Sequence, residues 1–162
     1  MQVNLEVVEV EKPQDLNIIL GQAHFIKTVE DLYETLAEAS PTIKFGIAFC
    51  ESSGKALVRV EGNDEGLKEV ALKNALKIGC GHMFVVVLKG AYPVNVLNRI
   101  KKISEVCTVF CATANPLRVI VASLSEGRAF LGVVDGIKPQ GVERDEDIKE
   151  RKEFLRKIGY KR

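Results

Sequence analysis

The sequence predicts an α/β protein of the α+β kind: a mixed β-sheet with antiparallel hairpins inside it and helices packed on its faces, in one domain spanning 1–162. Three observations carry this. Apolar, β-branched runs recur along the whole chain and outnumber the helical segments. Two pairs of these runs, 43–50 with 56–60 and 119–122 with 129–136, are joined by short turns containing Ser, Gly and charged residues, the mark of hairpins. Other segments place apolar residues at helical spacing. At 162 residues, one core can bury roughly two-thirds of the unfolded surface.

Val3, Leu5, Val7, Val8 and Val10, interrupted by Glu6 and Glu9, have the partial alternation of a half-buried strand, which Lys12-Pro13-Gln14-Asp15 ends. Asn17 to Gly21 is a second extended segment and delivers Gln22-Ala23-His24-Phe25 to its end. Thr28-Val29-Glu30-Asp31 resembles a capping box with Thr28 as N-cap, and Val29, Leu32, Leu36 and Ala39 mark a helix up to Ser40-Pro41. After the first hairpin, Gly62-Asn63-Asp64 supplies a cap. Leu67, Val70, Ala71, Asn74, Ala75 and Ile78 then trace a stripe that stops at Gly79, the residue favoured just past a helix C-terminus. Met83 to Leu88 reads as a buried strand, and Pro93 opens a helix with Val96, Leu97, Ile100 and Ile103 on its apolar face. Val106 to Thr113 is a strand broken by Ala114-Asn115-Pro116, and the second hairpin follows. From Glu143 onward, charge is dense but Ile148, Phe154, Leu155 and Ile158 keep helical spacing, which predicts a surface-packed terminal helix. So many apolar strands in a short chain leave edges to cover, which predicts a homo-oligomer.

A net charge of +1 lacks the basic footprint of a nucleic-acid binder. The N-terminal residues lack a signal-peptide pattern and no apolar run approaches a membrane span, so a cytoplasmic protein without membrane contact is expected. Cys50, Cys80, Cys107 and Cys111 lie in or beside apolar strand patterns and read as reduced, buried thiols. Cys107 and Cys111 are no metal pair: four positions along a strand separate them by about 13 Å, too far for one zinc ion. No metal site is expected.

Neither a Walker loop nor a dinucleotide glycine fingerprint occurs, so any phosphate chemistry rests on other residues. The chain has two histidines, His24 and His82. His82 follows Gly79-Cys80-Gly81, where a neutral imidazole can act as a nucleophile toward phosphorus; a hydrogen-bonded strand-end histidine is the plainer alternative. The helix ending at Gly79 aims the negative end of its dipole at this turn, by about 0.3–1 kcal/mol against a phosphate. Compensating donors are the amides of the glycine turn, the first turn of the Pro93 helix, and the cations Lys27, Lys89 and Arg128. Asn115, with Thr113 just before it, ends a strand where loops present polar groups to ligands, though a plain Asx turn is the simpler explanation. Asp135, isolated in an apolar run, is either a base for a substrate hydroxyl or a turn residue.

Taken together, Gly21-Gln22-Ala23-His24-Phe25-Ile26-Lys27-Thr28-Val29-Glu30-Asp31-Leu32, Gly79-Cys80-Gly81-His82-Met83-Phe84-Val85, Cys111-Ala112-Thr113-Ala114-Asn115-Pro116 and Gly127-Arg128 through Leu131-Gly132-Val133-Val134-Asp135-Gly136 resemble the adenosine-specific kinase family of archaea and thermophilic bacteria. The resemblance implies phosphoryl transfer between a nucleoside triphosphate and adenosine to give AMP, through a stable phosphohistidine, in trimers or hexamers. ATP would be the donor, with Mg²⁺ accompanying it. His82 is then the phosphohistidine, with His24 as the alternative, and Asp135 the catalytic base. Thr113, Asn115 and Asp135 would line the nucleoside pocket, while Lys27 or Arg128 neutralises phosphate charge. A non-catalytic adenosine- or AMP-binding or sensing module is the competing expectation.

Overall fold

The computed structural model describes residues 2–162. Its strands are β1 (Asn4–Glu9), β2 (Asn17–Ala23), β3 (Lys44–Cys50), β4 (Val58–Gly62), β5 (Met83–Lys89), β6 (Val106–Thr113), β7 (Leu117–Ser123) and β8 (Arg128–Asp135). The helices are α1 (Thr28–Ala39), α2 (Glu65–Ile78), α3 (Pro93–Ile100) and α4 (Asp145–Lys157). The α+β reading and both hairpins stand. In place of one mixed sheet there are two antiparallel ones, ordered β4-β3-β5-β2-β6 and β1-β7-β8.

The larger sheet is covered on both sides, which explains why Met83 to Leu88 reads as an uninterrupted apolar run. Alternate residues go to opposite faces. Ile19, Phe45, Ile47, Phe84 and Val86 meet α1 and α3 through Leu32, Leu36, Val96 and Ile100. Ile18, Leu20, Val85 and Val87 meet α2 and the smaller sheet through Ala71, Ala75, Val119 and Val121. Gly46 is where α2 comes closest: a Cβ there would sit 2.2 Å from the Leu67 carbonyl carbon. The two sheets also touch through the stacked rings of Phe110 and Phe130, 3.9 Å between centroids.

At α2 the caps are those the sequence predicts. Asp64 accepts from the Leu67 amide at 3.0 Å, and Gly79 closes the helix at φ 62° with its amide on the Ala75 carbonyl. Thr28 differs. It is the first helical residue, Lys27 occupies the cap position, and the Thr28 hydroxyl donates to the Phe25 carbonyl at 2.6 Å. The reason is local: the chain already turns tightly here, with the Thr28 and Val29 amides bonded to Phe25 and Ile26 carbonyls, so a carbonyl lies nearest the hydroxyl. No residue of α4 is buried; Phe154, with Ile158 and Tyr160 beyond the helix, lines a groove instead of packing into the core. Of the cysteines, Cys50 and Cys80 are buried and Cys111 half-buried, whereas Cys107 is exposed because β6 is an edge strand. Burial pushes the Cys50 thiol up to about 11 and the Cys111 thiol up to about 12.

Candidate active site

Strand β6 ends at Thr113 and β8 ends at Asp135, and pairing of Leu117 with Asp135 sets those ends side by side across the Ala114-Asn115-Pro116 connection. There the Thr113 hydroxyl donates to Asp135 Oδ1 at 2.7 Å and Asn115 Nδ2 donates to the same oxygen at 3.0 Å. Thr113 Oγ1 in turn accepts from the Asn115 amide at 3.0 Å. The local turn is therefore made by the Thr113 hydroxyl and not by an Asx turn of Asn115, whose side chain holds the carboxylate instead. Gly136, at φ 65°, completes the corner, and a Cβ on it would come within 3.1 Å of Asn115 Nδ2.

Thr113 and Asn115 open onto a groove of about 540 Å³ whose other walls include Asn17, Tyr92, Phe154 and Tyr160. It is predominantly apolar with a few convergent polar groups, the usual chemistry of a small-molecule site. Tyr92 stands at the start of α3, its amide bonded to Asn95 Oδ1 at 2.9 Å, and Tyr160 reaches Asn95 from beyond α4 at 3.5 Å. Sequence reasoning missed both tyrosines. The chain has three tyrosines and seven phenylalanines, and no spacing in the sequence marks Tyr92 and Tyr160 out from the rest.

The histidines lie elsewhere. His82 is held by its backbone, the amide donating to the Cys50 carbonyl at 2.8 Å and the carbonyl accepting from Ala23 at 3.0 Å. Its φ is 58°, a left-handed conformation that costs a non-glycine residue and persists only where surroundings impose it. The ring stacks on Phe49, 5.9 Å between centroids. His24 follows Ala23 directly, is exposed, and donates its amide to the Glu105 carbonyl at 3.1 Å. The Ala23–His82 hydrogen bond therefore makes the two histidine segments neighbours. Beside them, Lys27 bonds Asp31 and approaches Glu105 Oε1 at 3.4 Å. This ammonium holds the Asp31 carboxyl below the usual range, and Asp31 raises Lys27 in return. Glu105 is 4% exposed and its Oε2 is buried without a hydrogen-bond partner. No sequence pattern distinguishes Glu105, which is a single acid opening a strand.

Arg128 resolves the dipole conflict at Gly79. Its Nη1 donates to the Lys77 and Ile78 carbonyls at 3.0 and 2.8 Å, capping the negative end of α2, while Nη2 bonds Glu6 at 2.6 Å. A cleft of about 510 Å³ beside the turn is lined by Glu51, Ser52, Gly79, Gly81 and Arg128. Lys89 pairs with Asp15 at 3.4 Å, at the opposite end of β5 from His82.

The structure thus sorts the predicted residues into groups. Thr113, Asn115 and Asp135 are together; at the other ends of the strands His24, His82 and Lys27 are linked through Ala23 and Glu105, while Arg128 sits apart on the last carbonyls of α2. On β2, Ile18 pairs with Thr113, whereas Ala23 bonds His82, and the five residue steps between them span about 17 Å. On β8 the same division sets Arg128 apart from Asp135. Among the described residues no three His, Cys, Asp or Glu side chains converge on one point, and no helix is long and apolar enough to cross a membrane.

A family model for adenosine specific kinases matches residues 8–161 of the chain. The crystal structure of the PH1918 protein from Pyrococcus horikoshii OT3 superposes with a TM-score of 0.95 at 49% sequence identity, covering 99% of each chain. No curated protein matches.

Proposed function

The chain belongs to the adenosine-specific kinase family, and from that premise we propose that it transfers a phosphoryl group from a nucleoside triphosphate to adenosine, giving AMP through a phosphohistidine. The observation that carries this reading is the convergence on Asp135 Oδ1 of Thr113 and Asn115, two residues that line an apolar groove. Two fixed donors on one carboxylate oxygen leave the other to accept a proton from a ribose hydroxyl. The aromatic walls Tyr92 and Tyr160 suit an adenine ring.

His82 carries the phosphoryl group, with His24 beside it as the other candidate. The neutral ring nitrogen attacks the γ-phosphorus, a P–N bond forms and the nucleoside diphosphate leaves. The ribose oxygen then attacks phosphorus, the P–N bond breaks, and Asp135 takes the hydroxyl proton. Lys27 and Arg128 offset phosphate charge at the histidine end. Mg²⁺ accompanying the donor would neutralise phosphate charge and would rely chiefly on the donor's phosphates, since this ion seldom uses an all-protein cage.

Incubation with ATP and adenosine should give AMP, and Asp135→Asn should slow its formation by roughly 10²- to 10⁴-fold. The separation of the histidines from Asp135 is the observation favouring a binding or sensing module instead. That reading prevails if AMP binds by calorimetry while wild-type protein forms no product.

A further inference from the structure

A side-chain amide taken out of water needs partners for its N–H groups and for its carbonyl oxygen. Asn17 opens β2, is 8% exposed, and pairs in register with Leu88 of β5. Like Ile19, two positions on, it belongs to the face of the larger sheet that α1 and α3 cover. Other buried polar side chains there and elsewhere are bonded within the chain. Thr28 gives its hydroxyl to Phe25, Asn74 binds the Glu11 backbone through both its oxygen and its nitrogen, and Thr113 holds Asp135. Asn17 makes a single bond, from Nδ2 to the Ala91 carbonyl at 3.4 Å. No donor among the described residues reaches its Oδ1. Because Asn17 lines the groove of about 540 Å³, that oxygen is what it has left to offer a ligand.

The Ala91 contact also fixes which way the amide points. Turned over, it would set Oδ1 against the Ala91 carbonyl, two acceptors with no proton between them. Ala91 is itself placed by the turn after β5, where Gly90 has φ 75°, and by Pro93 at the start of α3.

We propose, resting on the adenosine reading of this groove, that Asn17 is its specificity-determining residue: Oδ1 accepts a hydrogen bond from the 6-amino group of the purine. A 6-amino purine presents N–H donors at that position, whereas a 6-oxo purine presents a carbonyl, which leaves two acceptors facing each other out of water. Sites that hydrogen-bond a substrate group reject an analogue lacking it far more strongly than apolar pockets do. Tyr92 and Tyr160 cannot make this choice, since an aromatic face stacks on any base.

Calorimetry on wild-type and Asn17→Leu protein tests this without requiring turnover. The probes are adenosine, purine riboside and inosine, which carry an amino group, a hydrogen and an oxygen at position 6. Wild type should bind adenosine about 10- to 100-fold more tightly than purine riboside, and inosine no better than purine riboside. Asn17→Leu should bind adenosine and purine riboside alike. Asn17→Thr, whose hydroxyl stands one bond nearer the backbone and whose shape suits a strand, should also lose the margin, and it decides the matter if the leucine variant does not fold. A margin that survives in the variants, even with both nucleosides weakened equally, would overturn the role of Asn17 and leave adenosine binding intact. So would a wild-type protein that binds purine riboside as tightly as adenosine. Wild-type protein that binds none of the three would overturn the adenosine reading as well.

Discussion

The guanidinium of Arg128 and the carboxylate of Glu6 meet at 2.6 Å across 122 residues of chain, directly over the last carbonyls of α2. One side chain thereby joins the smaller sheet to the helix end that precedes the His82 turn. Arg128→Ala should remove its hydrogen bonds to the Lys77 and Ile78 carbonyls and cost about 1–3 kcal/mol. Thermal unfolding would read this as a lower Tm. Arg128→Lys should recover only part of it, since an ammonium cannot reproduce the fork that spans two carbonyls and a carboxylate. Equal stability for wild type and Arg128→Ala would show that the cap is dispensable.

Phosphorylation should survive in only one of two histidine variants. After incubation with ATP, intact-mass spectrometry should show a phosphoryl group on wild-type protein and none on His82→Ala. A label retained in His82→Ala and lost in His24→Ala would move the carrier to His24, its neighbour across the Ala23–His82 hydrogen bond.

Thr113 acts on Asp135 through its hydroxyl, so the methyl is not what matters. Thr113→Val should lower kcat about 10-fold with little change in KM, and Thr113→Ser should restore it. An equal loss in both variants would point to packing of this buried residue instead.

Glu11 gives the chain an acid-sensitive joint. Hydrogen bonds from Lys73 and then Lys77 pull its carboxyl down from 4.5 to about 2, tying the β1–β2 connection to α2. Because the folded value is the lower one, the ionised pair favours the native state above pH 4.5, and that contribution fades as pH falls toward about 2. Glu11→Gln should therefore lower Tm at neutral pH, with the gap from wild type closing as pH approaches 2. A gap that is constant with pH would exclude this pairing. The backbone contacts of Glu11 to buried Asn74, at 2.9 and 2.7 Å, are independent of the carboxyl and should persist throughout.

Much of this molecule is legible in one dimension. Period-two alternation from Ile43 to Cys50, the apolar stripe from Leu67 to Ile78 and Gly79 beyond it depend on neighbours a few residues away, and those elements are where the patterns place them. Thr113, Asn115 and Asp135 were recognisable as polar groups at strand ends for the same reason. Thr28 shows the limit even at short range: the pattern of a cap was present, but the tight turn before it left its hydroxyl a carbonyl to bond.

What only the tertiary structure decided is which ends lie together. A strand's pattern states that it has two faces, but register and strand order set which ends become neighbours, and those depend on pairing between segments far apart in sequence. Division of the strands between two sheets, the meeting of Arg128 with Glu6, and the burial of Glu105 beside Lys27 all arise there. So does the separation of the histidines from Asp135. The sequence by itself determined which polar residues stand at strand ends; register and strand order, pairing Ile18 with Thr113 and Ala23 with His82, decided that the two groups lie at opposite ends of β2.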